Sequence, residues 1–191
     1  DEFEDAHSEY TGAPFVICTD SCTNALYLCL VRVRQVYEDE LIVLPKRTYV
    51  GVAQAARNAG LDIAFQDIKW TGEYEIQPTQ IIDAARWLRR GMFKAGTMTC
   101  LSFQATKHLP IGRGGAILCD EPGDADWFRR ARLDGRDQET SIFDQTEFGF
   151  GAHCYMPPDC AARGLWLMGG LADDNQPIPG EFPDLSEKEW S

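Results

Sequence analysis

Short apolar runs that alternate with helix-patterned segments constrain this chain more than any other feature. Phe15-Val-Ile-Cys-Thr19, Leu41-Ile-Val-Leu44 and Asp62-Ile-Ala-Phe65 are too short for helices and lack the polar alternation of a half-solvated strand. They suit strands covered on both faces, as parallel sheets require. Between them lie a segment from about Asn24 to Arg34, apolar on much of its surface, and a second from Tyr49 to Asn58, closed by Gly60. The order β-α-β-α-β predicts an α/β fold on a mostly parallel sheet.

Residues 1–11 read as an acidic helix that Thr11-Gly-Ala-Pro14 ends. Beyond Phe65 the pattern loosens, and Trp70 to Gln80 reads as a polar connection containing a proline. Gln80-Ile-Ile-Asp-Ala-Ala85 is a short strand that ends at Asp83, and residues 86–96 are basic and irregular. Thr97 to Phe103 and Gly115 to Cys119 are two further strands, joined by a loop short enough for antiparallel pairing. Asp124 to Leu133 reads as an amphipathic helix burying Trp127, Phe128 and Ala131, and Asp159 to Met168 as the last helix. From Gly169 the chain is rich in Gly, Pro and Asp without periodicity. This predicts one domain over residues 1–168 and an extended or disordered arm over 169–191.

Composition excludes several classes. A formal charge of −12 over 191 residues argues against nucleic acid as a main partner. It leaves room for a small anionic ligand held by a few backbone amides. Seven cysteines contain no C-x-x-C pair, and three histidines lie far apart, so no metal site is expected. Several cysteines sit in apolar runs, as small hydrophobes do in a reducing, cytoplasmic setting. The acidic start does not resemble a signal peptide, and no apolar run is long enough to span a bilayer.

The chemistry-bearing positions cluster around Lys107. An apolar stretch delivers Ser102, a lysine follows five residues later, and Gly112-Arg-Gly-Gly115 leads into another strand. Such an arrangement holds one amine at the mouth of a sheet, where it can form a Schiff base with an aldehyde cofactor. The alternative is a solvated loop lysine. Asp83 closes an apolar strand and needs a cation, either a protonated pyridine nitrogen or one of Arg86, Arg89 and Arg90. Asp20-Ser-Cys-Thr23 lies between a strand and a helix, where it can cap the helix or turn amides toward an anion. Tyr49 can lay its ring on a flat heteroaromatic group or serve as a core aromatic. The glycine-rich run precedes a strand, which excludes a Walker loop and a dinucleotide fingerprint, since both require a helix there.

In order, these segments resemble the DegT/DnrJ/EryC1/StrS family of pyridoxal-phosphate sugar aminotransferases. The family's Ser-Gly-Thr-x-Ala-Leu is matched by Ser21-Cys-Thr-Asn-Ala-Leu26, and its Val-x-Pro-x-x-Thr-aromatic by Val43-Leu-Pro-Lys-Arg-Thr-Tyr49. Its Glu-Asp-x-Ala corresponds to Ile82-Asp-Ala-Ala85, and its Ser-Phe-x-x-x-Lys to Ser102-Phe-Gln-Ala-Thr-Lys107. Its Gly-Glu-Gly-Gly-x-Ile is Gly112-Arg-Gly-Gly-Ala-Ile117, and a later segment looks like Gly151 to Met156 followed by Ala161 to Leu165.

The resemblance implies a three-layer α/β/α sandwich like the large domain of fold-type-I enzymes, with one antiparallel strand. It implies pyridoxal 5'-phosphate as cofactor, and amino transfer from an amino acid, in the family scheme glutamate, to a nucleotide-linked keto-sugar. Lys107 would bond the cofactor and move the proton, Asp83 would pair with the ring nitrogen, and Tyr49 would stack on the ring. Cys22, Thr23 and Ser102 would hold the phosphate. Arg86 stands where the family has Gln or His near the cofactor's phenolic oxygen. His153 stands in a segment that reaches the neighbouring subunit in a homodimer. The chain departs from the pattern at Cys22, Arg86, His153 and Tyr155, lacks a strand-helix unit between Phe65 and Asp83, and lacks the C-terminal small domain. A cofactor- or partner-binding homologue without turnover is the alternative. Lysine at 107, rather than histidine, argues against a dehydratase of the same family.

Overall fold

A computed structural model of the chain describes residues 2–37 and 40–190. Asp1 and Ser191, the ends of the expected first helix and of the expected arm, lie outside the described residues. The elements run α1 (Glu2–Thr11), β1 (Phe15–Thr19), α2 (Cys22–Tyr37), β2 (Leu41–Pro45), α3 (Val50–Asn58), β3 (Asp62–Gln66), β4 (Tyr74–Ile76), β5 (Ile81–Asp83), β6 (Met98–Ser102), β7 (Gly115–Cys119), α4 (Pro122–Ala131) and α5 (Pro158–Met168), with a 3-10 turn at Leu185–Glu187. Among the described residues no helix is long and apolar enough to cross a membrane.

The strands sort their side chains by alternation. Val16 and Cys18 of β1, Leu101 of β6, and Ala116 and Leu118 of β7 join one core with Phe3 and Tyr10 of α1, and α5 packs there through Ala161 and Leu165. Ile17, Cys100, Ile117 and Cys119 face the other core, with Leu26 and Leu30 of α2, Val52 and Ala56 of α3, and Phe128 of α4. Residues two apart on a strand share a face. The apolar runs are therefore continuous because both faces are covered, and the layers are α/β/α. Trp127, expected in the core, is only partly buried and stacks on Phe150, with ring centroids 5.6 Å apart.

The sheet departs from the mostly parallel arrangement expected. The main sheet has the order β1-β7-β6-β5-β4, and β2-β3 form a second. Only β5/β6 and β2/β3 are parallel, whereas β1/β7, β6/β7 and β4/β5 are antiparallel. For β4 and β5 the cause is connection length. A parallel crossover needs a dozen or more residues, usually a helix. Residues 77–80 between β4 and β5 permit only a hairpin, with Tyr74 opposite Asp83. The strand β4 itself falls inside the stretch expected to be an irregular polar connection. It also ties the sheets together, because Val43 of β2 donates its amide to the Gln77 carbonyl at 2.7 Å.

All seven cysteines are free thiols, and all but Cys160 are buried. The segment after α5 runs back along the body. Asn175 donates to the Leu88 carbonyl at 2.8 Å, Leu185 donates its amide to Lys46 at 2.7 Å, and the Trp190 ring stacks on Phe65.

Candidate active site

The carboxyl ends of β1, β2, β5 and β6 converge on one cavity of about 400 Å³. That volume suits a small ligand, and strand carboxyl ends are where open α/β sheets place one. Lys107, Asp83, Tyr49, Cys22, Thr23, Ser102 and Arg86 all line it. His153 does not. Its ring is exposed, bonded to Asp134 at 2.9 Å and set edge-on to Tyr155.

One end of the cavity is the start of α2. Ser21 caps the helix, its hydroxyl accepting from the Asn24 amide at 3.2 Å. The first-turn amides of Cys22 and Thr23 have no acceptor within the helix. Asp20 accepts from the Asn24 side chain at 2.6 Å and from the Ser21 hydroxyl at 3.1 Å, and pairs with Arg113. Gly115 is required because β7 presses on this turn. A Cβ there would stand 2.4 Å from the Cys22 nitrogen. Burial, and then Asp83, push the Cys22 thiol well above its ordinary range.

Lys107 is fixed by its loop. Its amide donates to the Gln104 carbonyl at 2.9 Å, and Gln104 Oε1 accepts from the Thr106 amide and hydroxyl at 2.9 and 2.6 Å. Phe103, fully buried, anchors the start of the loop, and its carbonyl accepts from the Gly112 amide at 3.1 Å. Gly112 and Gly114 turn the chain back at φ of 111° and 144°, in the region that favours glycine. No ion pair involves Lys107 among the described residues. Burial lowers its amine pKa, and the Arg86 cation lowers it further, against the opposing effects of Cys22 and Asp83. A partly desolvated amine without a counterion is a nucleophile held ready.

Asp83 is buried and accepts from the Tyr74 hydroxyl at 2.9 Å and the Ala85 amide at 3.0 Å. Tyr74 in turn shares its hydroxyl with Thr48 at 2.7 Å. Among the described residues no cation lies within ion-pair distance of Asp83. The nearby arginines are engaged elsewhere. Arg86 donates to the Ile178 carbonyl at 2.8 Å and to Pro179, Arg89 lies 4.3 Å over Trp87, and Arg90 pairs with Asp173 at 2.7 Å. Among the described residues, then, no structural salt bridge to Asp83 forms. Burial raises the Asp83 pKa, and the Ala85 amide, Tyr74, Lys107 and Arg86 only partly offset this.

Tyr49 is 58% exposed, so it is no core aromatic. Its ring folds over Gly51, where a Cβ would come within 2.6 Å of it. Sequence reasoning missed Tyr74, Thr48, Trp70, Arg113 and Phe182. Of these, Thr48 and Arg113 stand inside segments matched to the family pattern, and Tyr74-Glu-Ile76 alternates apolar and polar too briefly to set a period.

The model of the DegT/DnrJ/EryC1/StrS aminotransferase family matches residues 1–86 and 84–176. This chain belongs to that family. No curated protein sequence matches it. Among solved structures, AtS13 from Actinomadura melliaura is 22% identical with a TM-score of 0.74, over 89% of this chain and 59% of its own. The sugar aminotransferase CalS13 from Micromonospora echinospora is 17% identical with a TM-score of 0.72, over 89% of this chain and 60% of its own. NtdA from Bacillus subtilis, solved with bound cofactor PMP, is 22% identical with a TM-score of 0.72, over 89% and 47%. These likenesses concern the fold, and this chain spans about three fifths of the length of AtS13 and CalS13.

Proposed function

We propose that this chain binds pyridoxal 5'-phosphate in the 400 Å³ cavity and transfers an amino group from an amino acid, glutamate in the family scheme, to a nucleotide-linked keto-sugar. One observation carries the reading. A half-buried amine without a counterion and a buried carboxylate without a cation line the same cavity. A cofactor with an aldehyde and a protonated ring nitrogen complements both groups.

The remaining residues fit the same group. The amides of Cys22 and Thr23, with the Thr23 and Ser102 hydroxyls, suit a phosphate at the start of α2. Tyr49 offers a ring face to a flat heterocycle. Asp83, held by Tyr74 and Ala85, keeps the ring nitrogen protonated. Bound pyridoxal phosphate supplies an electron sink for charge that develops on the carbon bearing the amine. Lys107 Nζ would take the proton from that carbon and return it at the neighbouring position, and the burial that lowers its pKa favours the neutral amine this needs. Arg86 spends its guanidinium on two carbonyls, so we assign it to positioning rather than to the phenolic oxygen. In this reading the chain works as a homodimer, with His153 serving the partner's cavity, since it is exposed and outside its own.

The test is covalent capture. Borohydride reduction in the presence of pyridoxal phosphate should fix one phosphopyridoxyl group per chain, on the peptide bearing Lys107. Glutamate should then discharge the visible absorbance of the unreduced protein. Capture without discharge would leave a cofactor-binding homologue that does not turn over. Failure to capture at Lys107 would overturn the reading. Sedimentation that shows a monomer at every concentration would remove the dimer.

A further inference from the structure

The segment after α5 contributes a residue to this cavity. Phe182 lines it, stacked on Trp70 with ring centroids 5.7 Å apart and planes 25° apart. The Arg86 guanidinium lies 5.6 Å over the Phe182 ring and clasps the carbonyls of Ile178 and Pro179 just before it. Two further ties hold the chain after Phe182. Asp184 pairs with Lys46 at 3.0 Å and Arg47 at 3.2 Å, and Leu185 is buried. Trp70, Arg86 and Phe182 also line a second cavity of about 500 Å³ on the other side. These three side chains therefore stand between the two cavities.

We propose that Phe182 sets the size of the carbonyl compound that reaches Lys107, and that Arg86 is the positioning residue that holds the ring in place. The Phe182 ring presents an apolar surface to the cavity that Lys107 also lines. Such a face accepts a flat or C–H-rich ring and blocks a substrate broad enough to need both cavities. Removing the ring joins the two spaces. Releasing Arg86 frees the two carbonyls and lets the ring swing. The inference rests on the reading of this cavity as the place where Lys107 meets a carbonyl group, and its test keeps the two apart.

The test uses the full chain without cofactor and reads reductive alkylation at Lys107 by peptide mass spectrometry. The amine condenses with an added aldehyde, water leaves, and cyanoborohydride delivers hydride to the carbon. Formaldehyde and 1-naphthaldehyde are the small and large probes, and Lys94, which is exposed and lines neither cavity, is the internal standard. In the wild type the Lys107-to-Lys94 ratio should fall about tenfold or more from the small probe to the large one, as expected when a large reagent waits for local opening. Phe182→Ala should abolish that fall, and Phe182→Tyr should keep it. Arg86→Gln should reduce it while leaving the ring in the chain, so the outcome does not hang on Phe182→Ala folding. The electrostatic effect of Arg86→Gln opposes faster labelling, because Arg86 lowers the Lys107 pKa. Acceleration in that variant therefore reports access.

An unchanged size dependence in both Phe182→Ala and Arg86→Gln would overturn the proposal, even if pyridoxal phosphate were captured at Lys107. Size selection that vanishes in these variants while pyridoxal phosphate is never captured would sustain the wall and sink the cofactor reading.

Discussion

Two carboxylates are buried on opposite sides of this sheet, and they are solved differently. Glu4 of α1 carries its cation within the fold. Its carboxylate accepts from Arg132 at 2.5 Å and from the Cys18 amide at 2.8 Å, and the same guanidinium donates to the Cys18 carbonyl at 2.7 Å. Asp83 of β5 has a hydroxyl and an amide but, among the described residues, no cation within ion-pair distance. A buried charge is expensive unless paired, so the fold gains from Glu4's arrangement and tolerates that of Asp83. Burial alone does not mark a functional carboxylate. In the proposed reading, what marks Asp83 is that its neutralising charge would come from the ligand.

The largest expected effect breaks the paired side. Glu4→Gln strands Arg132 and should cost about 3–5 kcal/mol in denaturant unfolding, and adding Arg132→Met should recover a large part of that. On the unpaired side Asp83→Asn should do the reverse. It should weaken pyridoxal phosphate binding by about 2–5 kcal/mol in titration while leaving the free chain no less stable. The sign follows from the raised pKa. Burial raises the Asp83 pKa in the folded free chain, so stability declines as pH climbs from 3.8 through the higher folded value, and the asparagine variant lacks this decline. A stability loss in Asp83→Asn at neutral pH would erase the contrast.

A third test sharpens the α1 side. His7 is buried between Phe3 and Phe103, and burial lowers its pKa from 6.5 to about 4. The fold holds it neutral, so about 3 kcal/mol of stability should disappear as pH falls from 6.5 toward 4, and not in His7→Leu. The smallest effect belongs to Tyr74→Phe. Loss of its bonds to Asp83 and Thr48 should cost about 1–2 kcal/mol by thermal melting and raise the affinity of Asp83 for a proton.

The sequence carried more of this site than of the sheet. Ser21 to Thr23, Tyr49, Asp83, Ser102 and Lys107 each follow an apolar strand in a local motif, and local order suffices to bring them to strand ends. The direction of pairing was legible for β6 and β7, whose antiparallel contact was expected, but not for β4, because a three-residue strand such as Tyr74–Ile76 has no measurable period. Phe182 was invisible for another reason. Its place depends on Trp70 and Arg86, far away in the chain, and nothing periodic surrounds it. Arg86 was legible as a cation near Asp83 but not as one already spent on Ile178 and Pro179. His153 followed a family segment into a position that its own cavity does not include.

The thiols give this protein a set of clocks. Cys22, Cys29, Cys100 and Cys119 sit in one core, Cys18 in the other, and Cys160 at the latter's rim. Burial pushes Cys119 and Cys154 up to about 12 and raises Cys18, Cys22, Cys29 and Cys100 as well. An alkylating reagent therefore finds Cys160 in the closed molecule and the others only when their layer opens. The order in which mass tags accumulate would time the separation of the two helical layers from the sheet, one layer at a time, without any introduced label.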